Sequence, residues 1–132
     1  MLLKVLWEIT GNNNLNWDED EDILVTYKTV RAYIRFSEKS QYIRFYSPIL
    51  FGVMKTNALL ERINEINSYN GFLHFYISEN ECVISVSQIL ATPFISAHVA
   101  ITLNNYLQVL EEFSNALQLE FGDDDSIPNY LN

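Results

Sequence analysis

The residues able to do acid–base, metal or nucleophilic chemistry in this 132-residue chain are few and poorly spaced for it. The two histidines, His74 and His98, form no H-x-x-x-H pair, and Cys82 is the only cysteine, so no metal-ligand spacing exists. Gly11, Gly52, Gly71 and Gly122 fall singly at element ends, where they cannot form a phosphate-cradling loop, and no serine sits in a G-x-S-x-G elbow. The acidic run Asp18–Asp22 lacks the central glycine and the twelfth-position glutamate of a calcium loop and reads as a solvated loop. No spacing singles out a carboxylate pair on a rigid element. The expectation is a protein without enzymatic activity and without a cofactor.

The chemistry that does recur is recognition chemistry. In 30–37, Val30, Ala32, Ile34 and Phe36 alternate with Arg31, Tyr33 and Arg35. In 41–50, Ile43 and Phe45 alternate with Tyr42, Arg44 and Tyr46. Successive strand residues point to opposite faces, so the second set belongs to one face rich in tyrosine and arginine, which His74 and Tyr76 join from a later strand. That face is either an ordinary solvated sheet surface or a docking surface, since Tyr and Arg combine apolar area with polar tips and are enriched at interfaces. In the docking reading a polypeptide adds as a strand at an open sheet edge, with Tyr33, Arg35, Tyr42, Arg44 and Tyr76 as side-chain anchors.

Elements that could position these residues follow from periodicity. Leu2, Leu3, Val5, Leu6 and Ile9 make one side of a short opening helix ended by Gly11, with a strand as the competing reading. Three strands follow at 23–27, 30–37 and 41–50, the last holding Pro48, which lacks a backbone donor and belongs at a strand end or an edge. Thr56 caps a helix whose Leu59, Leu60, Ile63 and Ile66 share a face, and Gly71 stops it in a left-handed conformation. Leu73, Phe75 and Ile77 then alternate with Phe72, His74 and Tyr76. A turn over 78–81, with Asn80 suited to positive φ, leads to Cys82, Ile84 and Val86 alternating with Val83, Ser85 and Ser87. Thr92 with Pro93, or Ser96, opens a last helix. Its Val99, Leu103, Tyr106, Leu110, Phe113 and Leu117 keep heptad spacing, so it either covers its own sheet or overhangs to pair with a second subunit.

The apolar helix ending in INEINSYN, the hairpin with an acidic-Asn turn, and the long helix after a short Ser/Thr/Pro link resemble the YbjN-type family over roughly residues 23 to 121. That family is described as sensory transduction regulators and is similar in fold to type III secretion chaperones. The element order α-β-β-β-α-β-β-α predicts an α+β domain: a mainly antiparallel, five-stranded twisted sheet with helices packed on one face. The resemblance implies the same order, a secretion-chaperone-like fold, an extended or partly folded polypeptide as partner, and a homodimer.

Composition sets the remaining bounds. The length suits one domain over 1–122, followed by an acidic tail at 123–132. A net charge of −9 argues against non-specific nucleic-acid binding. Yet six of the eight basic side chains, Lys28, Arg31, Arg35, Lys39, Arg44 and Lys55, lie between residues 28 and 55. No apolar run reaches the roughly 18 residues of a membrane span, and no signal peptide is read at the start. A lone cysteine in an apolar strand suits a buried thiol in a reducing cytoplasm. The leading expectation is therefore a protein- or peptide-binding module, chaperone-like or adaptor-like. The alternative is a structural or regulatory protein whose Tyr/Arg face binds an acidic segment, its own 18–22 or 123–125 included. A small-ligand-binding enzyme comes third.

Overall fold

Side-chain alternation along five strands sorts the chain into a covered and an uncovered half. In a computed structural model describing residues 2–36, 39–71 and 73–122, the elements are α1 (Leu2–Thr10), β1 (Asp22–Tyr27), β2 (Val30–Arg35), β3 (Tyr42–Leu50), α2 (Asn57–Tyr69), β4 (His74–Ile77), β5 (Val83–Leu90) and α3 (Ser96–Phe121). This is the α+β order expected. The strands form one sheet, β1-β2-β3-β5-β4, with every neighbouring pair antiparallel.

One face is sealed by α3, which packs on β2, β3 and β5 and carries α1 on its side. Ile23, Val25, Val30, Ala32, Ile34, Ile43 and Phe45, with Phe75 and Val83 of the later hairpin, supply the sheet's share of the core; Val99, Leu103, Tyr106, Leu110 and Leu117 supply that of α3. Ring contacts fasten the two layers: Phe45 to Tyr106 at 6.0 Å and Phe75 edge-on to Phe113 at 6.1 Å. The heptad stripe is thus spent within the monomer. α1 is a helix, since Leu2 and Leu6, one turn apart, are buried together, and Gly11 ends it at φ 69 with its N–H bonded to Trp7 O at 2.9 Å.

Several local expectations change. Thr56 caps α2 as read, accepting from Leu59 N at 3.2 Å, but Leu60 turns outward. Asn70, rather than a left-handed Gly71, closes α2: its Nδ2 donates to Ile66 O at 2.9 Å and its Oδ1 accepts from Leu73 N at 3.0 Å. Glu81, not Asn80, takes positive φ in the hairpin turn. α3 opens at Ser96, one of the two starts read from the sequence, and Ile95 before it makes no side-chain cap bond. The anticipated acidic tail at 123–132, any role of 123–125, and the side chain of Phe72 lie outside the described residues.

The largest correction concerns β5. A four-residue turn over 78–81 would pair Ile77 with Cys82 and put Ile84 and Val86 on the core side. Ile77 instead pairs with Val83, because Cys82 still belongs to the turn: Ser78 N donates to Cys82 O and Ser78 Oγ accepts from Cys82 N. One extra loop residue flips every side chain of the return strand. Val83, Ser85 and Ser87 face the core, where Ser85 Oγ meets Tyr106 OH, and Ile84 and Val86 face outward.

Pro48 stands in β3, the central strand, rather than at a strand end. The ladder explains the tolerance. By alternation the nitrogen of residue 48 points toward β2, and the β2–β3 register stops at Tyr33↔Tyr46, so no β3–β5 bond is lost. That flank of β3 is a local edge, as a proline requires.

Candidate functional site

The half of the sheet opposite the helices gathers all five anchors read from the sequence. The register lays side chains out in rows across the strands. One row runs Asp22, Arg35, Arg44, Gln88; the next runs Leu24, Tyr33, Tyr46, Val86, His74; Pro48, Ile84 and Tyr76 follow, and Tyr42 pairs with Leu90 at the far corner. The anchors share the face but fall in three places. Tyr33 and Arg35 sit on β2, Tyr42 and Arg44 on β3, and Tyr76 beyond β5 on β4.

The β2 group is already engaged. Arg35 donates through Nε to Asp22 Oδ1 at 2.8 Å and through a terminal nitrogen to Asp22 Oδ2 at 3.0 Å, while Tyr46 OH donates to the same carboxylate. Tyr33 stacks on Tyr46 with ring centroids 5.3 Å apart, and the Arg35 guanidinium lies 5.5 Å over the Tyr46 ring. Burial, and then the bond to Asp22, push the Tyr46 phenol above its ordinary pKa. The bond to Asp22 also raises the pKa of Arg35. Asp22 is 3% exposed, so it does not belong to the solvated acidic loop in which the sequence placed it. It shares the parity of Leu24 and Thr26, which was the available signal.

Arg31 and Arg44 differ from Arg35. Both are exposed, and neither has an ion pair among the described residues. Around them the face is more apolar than sequence reading made it. Tyr42 is 40% and Tyr76 47% exposed, Leu90 is 62% exposed, and Ile84, Val86 and Pro48 lie half-buried on the same face. Single exposed apolar side chains are normal on a protein surface, and the Arg44–Gln88 row separates the Tyr42–Leu90 pair from the group made by Val86, Pro48, Ile84 and Tyr76.

The sheet's two outer edges are not equivalent. On β4, Phe75 N–H donates to Asn67 Oδ1 at 2.9 Å and Phe75 O accepts from Asn67 Nδ2 at 3.0 Å, so a side chain of α2 occupies the place of a sixth strand. On β1, the N–H and C=O of Asp22 turn away from β2 to meet Asp18 Oδ1 and Asp18 N–H, at 2.9 and 2.8 Å. Strand alternation then turns the backbone groups of Leu24 and Thr26 outward as well, and among the described residues no loop backbone bonds to them. Unpaired edge groups are a template for another chain. Among the described residues there is no cluster of His, Cys, Asp and Glu that could hold a metal ion, and no helix long and apolar enough to cross a membrane.

Residues 1–125 match the family described as T3SS (YopN, CesT) and YbjN peptide-binding chaperone 1. The fold is similar to the solved ExsC–ExsE complex (TM-score 0.65, 19% identity, 86% of this chain and 90% of that one). It is similar to SycH of Yersinia pestis, solved with a stable fragment of YscM2 (TM-score 0.60, 13% identity, 89% and 99%). It also resembles YbjN from E. coli (TM-score 0.56, 14% identity, 88% and 93%). At such identities the structures speak for the fold alone. No curated protein matches the chain.

Proposed function

Since this chain belongs to the family of type III secretion and YbjN peptide-binding chaperones, a family of protein-binding rather than catalytic members, we propose that it holds an extended polypeptide by strand addition along β1. The outward backbone of Leu24 and Thr26 carries this reading, because the opposite edge is filled by Asn67. Backbone bonding supplies affinity without sequence preference, and side-chain anchors add selectivity. Tyr33, Arg35, Tyr42, Arg44 and Tyr76 serve as those anchors in unequal ways. Arg44 offers a free charge and Tyr42 and Tyr76 offer apolar area, whereas Arg35 is committed to Asp22 and chiefly orders Tyr46 and Tyr33.

A peptide array probed with the wild type and with Tyr42→Ala plus Arg44→Ala tests the anchors. The double variant loses several-fold in affinity for the peptides that the wild type selects, as expected for truncating interface aromatic and arginine side chains. Equal binding by both proteins removes these residues from the site.

A second reading has an observation of its own. Asp22 shows that a carboxylate fits this face, and Arg44 has no such partner among the described residues. An acidic segment held there gives binding that weakens steeply with salt, whereas strand addition does not. The proposal extends to a single domain over 1–122 in a reducing cytoplasm, where the buried Cys82 stays a thiol. It also includes a homodimer, formed not through the heptad stripe, which is consumed in the core, but through exposed apolar side chains such as Leu60 and Ile101. Sedimentation at micromolar concentration reads twice 15.4 kDa if this is right, and 15.4 kDa if it is not.

A further inference from the structure

The gap between β2 and β3 is a built feature of this sheet. By alternation the Arg31 carbonyl faces β3, where an N–H of residue 48 would meet it, and Pro48 has none. Ser47 supplies the missing donor, its Oγ–H reaching Arg31 O. One residue on, the β3–β5 register shifts between Pro48 and Leu50, and Ile49 O takes a bond from Gln118 Nε2 of α3 at 3.1 Å. Two side chains therefore stand in for the ladder that the proline interrupts, and a cavity of about 430 Å³ lies there, bordered by Thr26, Arg31, Tyr33, Ser47, Phe51 and Ser114, among others.

Two properties of this cavity specify its occupant. The first is charge: its lining includes Lys28 and Arg31 but no acidic residue, in a chain with 17 of them. Lys28 Nζ is drawn to Glu111 at 3.5 Å, leaving the Arg31 guanidinium as the cation without an ionic partner among the described residues. The second is Ser114. It is 4% exposed, yet among the described residues its hydroxyl has no hydrogen-bond partner, while no side-chain oxygen or nitrogen sealed from solvent there lacks one. The Ser114 hydroxyl is therefore not sealed from solvent, and Ser114 lines this cavity. A hydroxyl donor and a guanidinium without an ionic partner that line the same cavity, together with neutral hydroxyls, match a group with a single negative charge and two acceptor oxygens.

We infer that this gap is a socket for a carboxylate side chain, glutamate or aspartate, of the polypeptide held along β1. The inference rests on the chaperone reading for its source of carboxylate, and Thr26 links the two, since it belongs to the β1 edge and borders the cavity. One carboxylate oxygen meets the Arg31 guanidinium and the other meets Ser114, while Tyr33 and Phe51 cover the methylenes. A doubly charged phosphate is matched less well, because Lys28 is already committed.

Two measurements decide it separately from the chaperone reading. In the first, the whole chain is titrated with N-acetyl-glutamate N-methylamide and with its glutamine counterpart, followed by NMR at the Arg31 Nε–H and the amides of Ser47 and Gln118. The acid gives saturable shifts in the millimolar range, the glutamine compound gives none, and Arg31→Gln abolishes them. Arg31 is exposed, so this variant keeps the fold. Shifts that fail to appear, or that survive in R31Q, overturn the socket. In the second, a glutamate-containing peptide selected on the array loses about tenfold in affinity on Glu→Gln with the wild type and nothing with R31Q. A peptide that binds without this coupling overturns the socket and spares the chaperone reading. Failure of every peptide to bind removes the chaperone reading, and the small-molecule titration still decides the socket.

Discussion

Replacing Leu110 by alanine costs about 2–5 kcal/mol, the range for emptying a fully buried leucine position. Leu110 is completely buried in the stripe that α3 turns toward the sheet, between Tyr106 and Leu117. The cost combines lost transfer of the side chain with a cavity between a helix and a sheet that neighbouring strands hold in place. Domains of this size are stable by about 5–15 kcal/mol, so a large share of the total is removed. Urea denaturation shows it as a lower midpoint at unchanged slope. Leu119→Ala is the internal contrast. Its side chain is 87% exposed on the same helix, and its replacement changes stability by at most about 0.5 kcal/mol. Similar losses at both positions would contradict the placement of α3.

Leu24→Pro is expected to spare the fold and damage binding. The Leu24↔Tyr33 pair is one of those whose backbone groups point away from the neighbouring strand, so the β1–β2 ladder gives up no bond when the nitrogen loses its hydrogen. Proline is tolerated on edge strands for this reason. A strand docking on β1 meets a different surface, with no donor at Leu24 and a ring in its path. An acceptor left unsatisfied at such an edge costs about 1–3 kcal/mol, or about fivefold to a hundredfold in affinity. Circular dichroism confirms that the fold remains, which separates this effect from the stability loss at Leu110.

Much of the fold was legible because alternation in β2 and β3 and heptad spacing in α3 are long, regular signals. The Tyr/Arg face emerged from the same alternation, and each named anchor lies on it. What could not be read depended on single residues. Whether Cys82 ends the turn or begins the strand decides which side of β5 faces the core, and sequence periodicity is the same in both cases. Ile84 and Val86 consequently enlarge the open face, and a pair of buried serines lies under α3 in their place. Asp22 closed a run of acids that looked uniformly solvated, and only the register set it beside Arg35 and Tyr46. Asn67 was an asparagine off an apolar stripe until β4 came within reach of its amide. Pro48 was correctly seen to need an edge. That a central strand can supply one, by parting from a single neighbour, required the ladder.

The most direct test of strand addition is a calorimetric titration of the wild type and Leu24→Pro with the strongest array-selected peptide. A loss of at least about fivefold in the proline variant, with its circular dichroism unchanged, is the predicted result. Equal affinities for two equally folded proteins would show that the bound polypeptide does not use the β1 edge.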